Sequence, residues 1–255
     1  MTTPSRLYKY RSLRKGKARQ HAVNALRNNE IYLAVVDEFN DPFDCHFRIE
    51  AITKRYVART LLQNLNPEMK ESELEDLVTQ ELTPQKVMEN ERKMLLQVRE
   101  INSKVGIFSM SARRDDLLMW SHYADGHKGI CLELATREET LFGCTIEQVR
   151  YEKEYPVFNA YEEPGQEYVR RYLTTKSQHW SYEEEWRILH YDRRGPQRFP
   201  AEELSGVILG AKISPRDQKT ILEILAKRAS RPALYKAKIK NNEFGLDIQP
   251  LDTTE

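Results

Sequence analysis

The sequence predicts an α+β fold in which sheet-forming segments at both ends of the chain flank a helical insertion at about residues 50–103. Short apolar segments typical of strands stand before and after a long, charged segment of helical pattern. Strands and helices do not alternate strictly, as a doubly wound parallel sheet would require, and no glycine-rich phosphate fingerprint is found. The 255 residues are therefore interpreted as one domain, 1–255, that carries the insertion.

The elements are predicted in order from hydrophobic periodicity and from residues typical of helix ends. Within the insertion, Pro67 and Pro84 stand where a helix start tolerates proline, which predicts two or three helices there. Asp115 is the expected N-cap of the next helix. The predicted strands are Leu7–Ser12, Glu30–Val36, Val105–Ser111, Lys128–Leu134, Thr145–Tyr151, Glu183–His190, Val207–Gly210, Ala233–Lys240 and Leu246–Pro250. The helices predicted outside the insertion are Lys17–Asn28, Asp116–Ala124, Glu167–Gln178 and Ser214–Arg228.

The apolar members of these elements form the expected core, because strand and helix faces that turn inward are apolar. The residues expected to be buried are Leu7, Ile31, Leu33, Phe108, Trp120, Ile130, Leu132, Trp186, Val207 and Leu209. The segment Phe39–Asp44 is predicted to form a turn, in which Pro42 restricts the backbone. We expect Asn40 and Asp41 to hydrogen-bond nearby backbone amides there and so to shape a corner of the site.

Charge and composition restrict the class of protein. The net charge is +1, which argues against a nucleic-acid binder that works through bulk charge. No apolar run is long enough for a membrane span, and the first residues lack the apolar core of a signal peptide. Three scattered cysteines predict neither a disulfide framework nor a zinc site. We therefore expect a soluble, cytoplasmic protein with no membrane partner and no metal.

The first 29 residues carry eight Lys and Arg side chains and no acid. In Leu7–Ser12, Lys9 and Arg11 alternate with Tyr8 and Tyr10. One interpretation is a solvated basic surface. The other is a pocket wall that binds phosphate groups, because Lys and Arg form strong charge-assisted hydrogen bonds to phosphate oxygens.

Glu183 and Glu185 form the most informative polar pair, within Trp180–Arg187. On a strand they would lie on one face about 7 Å apart, with Arg187 next on that face. One carboxylate could then bind a sugar hydroxyl while the other polarises a group or accepts a proton. The alternative is a charged surface strand on which Arg187 pairs with Glu185.

Two further motifs contain candidate polar residues. Ser109 and Ser111 share a face of a predicted strand, and no Gly-x-Ser-x-Gly elbow surrounds them, so a hydrolase nucleophile is not expected. Paired serines also occur at strand ends without a function. In Met119–Gly129, His122 is interpreted as a structural histidine beside apolar neighbours. The six histidines are scattered without ligand spacing, and so predict no metal site.

Four motifs in order resemble one bacterial family, catalogued as domain of unknown function 2971. They are Leu-Tyr-Lys-Tyr-Arg-Ser (7–12), Phe-Asn-Asp-Pro-Phe-Asp (39–44), Met-Trp-Ser-His-Tyr-Ala (119–124) with Gly-Ile-Cys-Leu-Glu (129–133), and Trp-Ser-Tyr-Glu-Glu-Glu-Trp-Arg (180–187). The resemblance extends from about residue 7 to about residue 210. The family has no assigned activity, so this resemblance implies no reaction.

The order of the polar motifs also resembles that of ADP-ribosyltransferases. That superfamily has a basic or histidine residue on a first strand, Ser-x-Ser on a second and Glu-x-Glu on a later one. The resemblance implies a mixed, mainly antiparallel sheet core and NAD as substrate, with ADP-ribose transferred to a macromolecule or NAD cleaved. It implies catalytic roles for Glu185 and Glu183. The positions implied to bind NAD are Lys9, Tyr10, Arg11, Ser109, Ser111, Trp120 and Tyr123.

The implied roles are specific. Glu185 would stabilise the oxocarbenium-like ribose and hold a ribose hydroxyl, while Glu183 would orient or deprotonate the acceptor. Lys9 or Arg11 would bind the pyrophosphate, and the sequence leaves open which of them faces the site. Trp120 or Tyr123 would stack on the nicotinamide.

Two other functions stay open at this stage. The first is a non-catalytic module that senses a ligand or binds another protein, with the helical insertion as its partner surface. The second is a nuclease or other phosphoryl-transfer enzyme built from four carboxylates, because carboxylates clustered on strands can bind Mg²⁺. These carboxylates would be Asp41, Asp44, Glu183 and Glu185.

Overall fold

The computed structural model describes residues 2–49, 55–136, 140–158 and 165–251. Its α-helices are α1 (Lys17–Asn28), α2 (Arg55–Leu65), α3 (Glu71–Glu81), α4 (Pro84–Lys104), α5 (Leu117–Tyr123), α6 (Gly165–Leu173) and α7 (Pro215–Ala226). Its strands are β1 (Arg6–Arg11), β2 (Glu30–Leu33), β3 (Arg48–Ile49), β4 (Gly106–Ser111), β5 (Ile130–Ala135), β6 (Thr140–Leu141), β7 (Cys144–Gln148), β8 (Arg150–Glu152), β9 (Val157–Phe158), β10 (Thr175–Ser177), β11 (Glu185–His190), β12 (Gly195–Arg198), β13 (Leu204–Leu209), β14 (Ala233–Ile239) and β15 (Leu246–Pro250). The α+β class predicted from the sequence is confirmed.

One large open sheet organises the described part of the chain. It has nine strands in the order β15-β14-β13-β5-β1-β4-β11-β7-β6. Neighbouring strands in it are antiparallel except β13 and β14, which are parallel. The sheet is therefore mixed and mainly antiparallel. Three short two-stranded ladders, β10 with β8, β12 with β2 and β3 with β9, lie beside it.

The central strand β1 alternates between two apolar layers. Leu7 packs with α1 and α7 through Leu26 and Ile221 on one face. Tyr8 and Tyr10 pack with α5 on the other face, where Trp120 has no exposed surface. This is the period of two expected for a buried strand. Every residue predicted to form the core is buried, so the strand register argued from the sequence is confirmed.

The insertion contains three helices in its described part, and residues 50–54, at its predicted start, lie outside the described residues. Pro84 occupies the first turn of α4, as predicted, whereas Pro67 lies in the turn between α2 and α3 and not at a helix start. The pair α2 and α3 has its own small core of Ala58, Leu74 and Val78. Helix α4 instead packs through Val98 against α6 and the loop after β2.

Several element boundaries differ from the prediction. The N-cap of α5 is Asp116, not Asp115; its Oδ1 accepts hydrogen bonds from the amides of Leu118 and Met119. The predicted strand Thr145–Tyr151 is two strands, because the Val149 amide bonds to Glu185 and the Arg150 amide to Thr174. The chain therefore leaves the large sheet at Val149 and pairs with β10 instead.

The predicted helix Glu167–Gln178 and the predicted strand Glu183–His190 are also wrong in their bounds. Helix α6 ends at Leu173, and the following β-branched pair Thr174 and Thr175 leads into strand β10. A 3₁₀ turn, 178–183, then contains Glu183, and Glu184 is left-handed with φ 42°. Strand β11 consequently begins at Glu185, so Glu183 and Glu185 do not share a strand.

Candidate functional site

The candidate site is a cleft that opens where β1 and β4 separate. These strands are paired at Tyr8 and Ser111. Nearer the start of β4, Ala34 pairs with Ile107 in place of β1. A cleft of about 300 Å³ lies in the gap, lined from both strands, from the loop after β2 and from β10. A split in the sheet thus exposes side chains that would otherwise be covered.

Two basic side chains of β1, Lys9 and Arg11, both line this cleft. The Lys9 Nζ donates to the backbone carbonyl of Ser109 at 2.5 Å and lies 4.9 Å from the centre of the Phe108 ring. Burial, with the nearby charge of Arg11, lowers the pKa of Lys9 to about 7. Burial lowers the pKa of Arg11 to about 10. The Nε atom of Arg11 is buried and has no hydrogen-bond partner within the described ranges.

A buried ion cluster forms the opposite wall. Lys176 of β10 donates from Nζ to Glu183 Oε2 at 2.6 Å and to Glu185 Oε2 at 3.0 Å. Arg187 donates from Nε to Glu185 Oε1 at 2.7 Å and from Nη2 to Asp44 Oδ2 at 2.7 Å. Arg187 is completely buried. Three carboxylates thus share two cations, in a place where an unpaired charge would be costly.

The pKa values of Glu183 and Glu185 are shifted in opposite directions within the ion cluster. Burial raises the pKa of Glu183, even though Lys176 opposes the shift. Burial also disfavours the charge of Glu185, but Arg187 and Lys176 outweigh it and lower the pKa of that carboxyl. Glu185 is therefore held as the anion, while Glu183 is the better proton acceptor near neutral pH. Pairs of carboxyl groups whose pKa values are pushed apart are suited to different roles in one reaction.

Polar neighbours orient these carboxylates. The Tyr123 hydroxyl donates to Glu183 Oε1 at 2.7 Å, and the pKa of Tyr123 is raised by burial and by that carboxylate. The register of β4 against β11 sets Ser111 opposite Glu185 and Ser109 opposite Arg187. The hydroxyl of Ser109 lies close enough to Glu185 to help lower the pKa of that carboxyl. Ser111 is fully buried and donates to the backbone carbonyl of Glu183 at 2.6 Å.

Most of the residues predicted for the site meet at this cleft. Those that line it are Lys9, Tyr10, Arg11, Ser109, Ser111, Tyr123, Glu183 and Glu185. Trp120 does not: it lies on the inner face of α5, is completely buried, and donates from its indole N–H to the Arg114 carbonyl. Glu183 and Glu185 do not share a strand, contrary to the prediction. They lie close together because Lys176 pairs with both carboxylates. The predicted pairing of Arg187 with Glu185 exists, but it is buried and not at the surface.

The turn at 39–44 forms a corner of the site. The Asp41 side chain accepts from the Phe43 amide at 2.9 Å, as predicted. The backbone hydrogen bond predicted for the Asn40 side chain is not found among the described residues; Asn40 instead lines the cleft near Tyr123. Asp44 reaches Arg187. The turn thus forms part of the cleft wall and contributes Asp44 to the ion cluster.

Lys176 is the functional candidate that the sequence analysis missed, because its segment was assigned to a helix. In the sequence, Lys176 stands between the β-branched pair Thr174–Thr175 and the Trp180 motif. In the structure, Thr174, Thr175 and Lys176 are all buried. A buried lysine needs carboxylate partners, and the two unexplained glutamates follow within ten residues.

Neither a membrane helix nor a metal cluster is found in the part of the chain that the structure describes. None of its helices is long and apolar enough to cross a bilayer. No group of three or more His, Cys, Asp or Glu side chains there is arranged to hold a metal ion. The carboxylates of Asp44, Glu183 and Glu185 instead face Lys176 and Arg187.

Comparison with known protein families gives a match to part of the chain. A family model described as Protein of unknown function (DUF2971) matches residues 119–188. No curated protein and no solved structure matches the chain. The matched segment runs from α5 into β11 and includes Tyr123, Lys176, Glu183, Glu185 and Arg187. The chain is thus similar to that family over the segment that supplies the acidic wall of the cleft.

Proposed function

We propose that this protein binds NAD in the cleft between β1 and β4 and either transfers its ADP-ribose to a macromolecule or cleaves it. One observation carries the proposal: Lys9 and Arg11, two cations that have no carboxylate partner in the described part of the chain, line one cleft together with the glutamates of the ion cluster. A buried cation that lacks a counter-ion favours an anionic ligand. NAD has an anionic pyrophosphate and, a few bonds away, a cationic nicotinamide.

The size of the cleft is compatible with this ligand. Small-molecule sites commonly enclose ~300–1,000 Å³, and the cleft has about 300 Å³. It would enclose the part of NAD around the scissile bond, with the rest of the dinucleotide extending outward. Lys9 and Arg11 would bind the pyrophosphate through charge-assisted hydrogen bonds. Tyr123 would contact the nicotinamide ring.

The two glutamates would divide the chemistry. As the bond between nicotinamide and ribose breaks, its electrons leave with nicotinamide and positive charge develops on the ribose. Glu185, held ionised by Arg187 and Lys176, would stabilise that charge. Glu183 would accept the proton of the attacking acceptor or water, which suits its raised pKa. Lys176 would position both carboxylates without contacting the reacting atoms.

The test is Glu185→Gln, with Glu184→Gln as its matched control. Glu184 is adjacent, exposed and paired with Arg113 on the outside. Loss of one electrostatic partner of a transition state lowers the rate about 10²–10³-fold. We expect that loss in nicotinamide release for Glu185→Gln, with the affinity for ADP-ribose little changed and Glu184→Gln fully active. Equal rates in the wild type and Glu185→Gln would contradict the catalytic role.

A second function is favoured because the carboxylate of Glu185 is already fully engaged within the ion cluster. Both of its oxygens already accept hydrogen bonds from Arg187, and Oε2 also from Lys176. A carboxylate so neutralised has less charge left to offer a transition state. The same cleft would then serve as a non-catalytic ligand sensor. Apolar residues exposed on the insertion would supply a partner surface: Tyr56, Leu65, Met88, Leu95 and Leu96.

Binding and turnover separate these two functions. Ligands that bind only the folded protein raise its unfolding midpoint, so a thermal shift with NAD and with ADP-ribose measures binding. Nicotinamide release over hours measures turnover in the same samples. Binding with turnover supports the transferase, and binding without turnover supports the sensor. Absence of binding by both ligands would exclude both functions for this cleft.

A further inference from the structure

A second cavity lies behind the ion cluster and belongs to neither proposed role of the cleft. It has a volume of about 680 Å³, and its wall is made by the turn at 39–44, the loop 152–156 and the segment 175–180. Lys176 lines both cavities. The volume lies within the ~300–1,000 Å³ common for small-molecule sites.

Asp41 is the most deeply buried acidic residue that lines this cavity. Its side chain is nine-tenths buried, with 9% of its surface exposed. Oδ1 accepts from the Phe43 amide, whereas Oδ2 is buried and has no hydrogen-bond partner among the residues that the structure describes. A buried carboxylate oxygen without a partner is energetically costly, and a bound donor removes that cost. A cationic donor does so best, because it also offsets the charge.

The other charges near Asp41 do not supply this donor. The ammonium group of Lys176 is held by Glu183 and Glu185 at 2.6 and 3.0 Å. The remaining charged residues of the cavity are exposed at its rim and carry both signs: Arg48, Lys153, Glu152 and Glu154. The buried charged residues of the cavity are therefore Asp41 and Lys176, and the charge of Lys176 is offset by the two glutamates.

Aromatic rings form much of the wall above Asp41. Phe43 is 61% exposed and Tyr155 40% exposed, although both are large apolar side chains. Tyr155 lies against His46, with ring centres 5.6 Å apart. Trp180 completes the wall. Faces of aromatic rings attract organic cations, most strongly where water is excluded.

From the unpartnered Asp41 oxygen and the aromatic wall, we propose that this cavity is a binding site for an organic cation, a guanidinium or ammonium group that pairs with Asp41 beneath Phe43 and Tyr155. The group belongs either to a small amine or to a basic side chain of another protein. The site does not depend on whether the cleft binds NAD.

Titration calorimetry of the full chain tests the site with three probes. Agmatine supplies a guanidinium on a small molecule, a capped Gly-Arg-Gly peptide supplies it on a chain, and a capped Gly-Glu-Gly peptide is the anionic control. Saturable binding of agmatine at least as tight as that of the arginine peptide identifies a small amine as the ligand. Tighter binding of the arginine peptide identifies a protein side chain. No binding of either at several millimolar, or equal binding of the glutamate peptide, overturns the proposal.

Variants assign the binding to Asp41. Asp41→Asn keeps an oxygen for the Phe43 amide and removes the charge. We expect about 10- to 100-fold weaker binding, the usual effect of losing a charge-assisted hydrogen bond. Asp37→Asn, an exposed residue of the preceding 3₁₀ turn, is the matched control and should bind as the wild type does. Phe43→Ala changes an exposed side chain without risk to the core and should weaken binding about 3- to 10-fold. Unchanged affinity in both Asp41→Asn and Phe43→Ala overturns the proposal.

Discussion

Lys9 is the side chain whose charge depends most on what occupies the cleft. Its nearest polar contact is a neutral carbonyl, and its pKa is lowered to about 7 by burial and then by Arg11. Near neutral pH the empty protein is therefore a mixture of protonated and neutral forms. An anion beside Lys9 favours the protonated form and raises that pKa.

The affinity for an anionic ligand should therefore depend on pH. Above about pH 7, binding must be accompanied by proton uptake, so the affinity for ADP-ribose falls as the pH rises, by at most about tenfold per unit. Titration calorimetry from about pH 6 to about pH 9, in buffers of different ionisation enthalpy, measures both effects. Lys9→Met should bind more weakly and without this dependence. A Lys9→Met profile identical to that of the wild type would contradict the role of Lys9.

The same shift has a consequence for stability with a defined sign. The pKa of Lys9 is about 7 in the folded chain and 10.5 in the unfolded chain. Between these values the unfolded state binds more protons, so the Lys9 contribution to the free energy of unfolding rises with pH. Urea unfolding without ligand should show this rise in the wild type and lose it in Lys9→Met. If the free energy of unfolding depended on pH equally in both proteins, groups other than Lys9 would be the cause of that dependence.

Lys176 is the residue on which the acidic wall depends most. Removing one partner of a buried ion cluster typically costs ~3–5 kcal/mol, because the other charges stay buried. Lys176→Met should lower the free energy of unfolding by about that amount, as measured in urea. Lys93→Met removes a lysine from an exposed pair with Glu89 and should change stability little. Similar effects of the two substitutions would show that the buried cluster contributes no special stability.

At the scale of single elements, the ends of β1 explain the shape of the cleft. Gly129 stands just before β5, against the last residue of β1, and a Cβ added there would lie 2.2 Å from the Arg11 carbonyl oxygen. The close approach keeps the end of β1 paired with β5 at Arg11 and Ile130. Since β1 is held against β5 here, the gap opens on the side of β4.

Gly129→Ala should therefore disturb both stability and the cleft. The added methyl group must displace the Arg11 backbone, and overpacking of this kind typically costs ~1–3 kcal/mol. We expect that loss in urea unfolding, together with weaker binding of ADP-ribose, because Arg11 moves. In Gly245→Ala the nearest atom to the new methyl is 3.0 Å away on the flexible Lys240 side chain, so the change should be small. If Gly129→Ala were less stable than the wild type but bound ADP-ribose equally well, Gly129 would have no influence on the cleft.

Most helices and strands could be predicted because their signals are local. Apolar alternation gives β1, β4 and β5, and Pro84 marks the start of α4. The failures have physical reasons. Strand β12 contains Pro196, which argues against a strand. The break at Glu184 depends on a left-handed residue that is not glycine, and no local pattern signals it.

At the scale of the whole molecule, the sequence predicted which motifs contribute to the site but not how they are joined. Glu185 and Ser109 were candidates from the motif order alone, and both line the cleft. The pairing of Arg187 with Asp44 spans 143 positions, and only the complete topology brings those residues together. The second cavity likewise requires three distant segments. Neither could be found from spacing along the chain.

The insertion should be the least protected part of the described chain outside its loops. The small core of α2 and α3 consists of Ala58, Leu74 and Val78, whereas β4 and β11 lie inside the nine-stranded sheet. Local opening costs less where few apolar groups are buried. Hydrogen exchange read by mass spectrometry should show faster exchange in 55–82 than in β4 and β11. Equal protection would mean that these helices unfold only with the sheet.

The position of Lys176 in the wall of both cavities also has a thermodynamic consequence. A ligand in either cavity changes the field at one shared ammonium group, and through it the field at Glu183 and Glu185. Any effect of an organic cation on the affinity for a nucleotide must then be matched by an equal effect of the nucleotide on the affinity for the cation, because binding free energies are linked reciprocally. Through this one buried side chain, a ligand bound in one cavity would change the affinity of the other cavity for its own ligand.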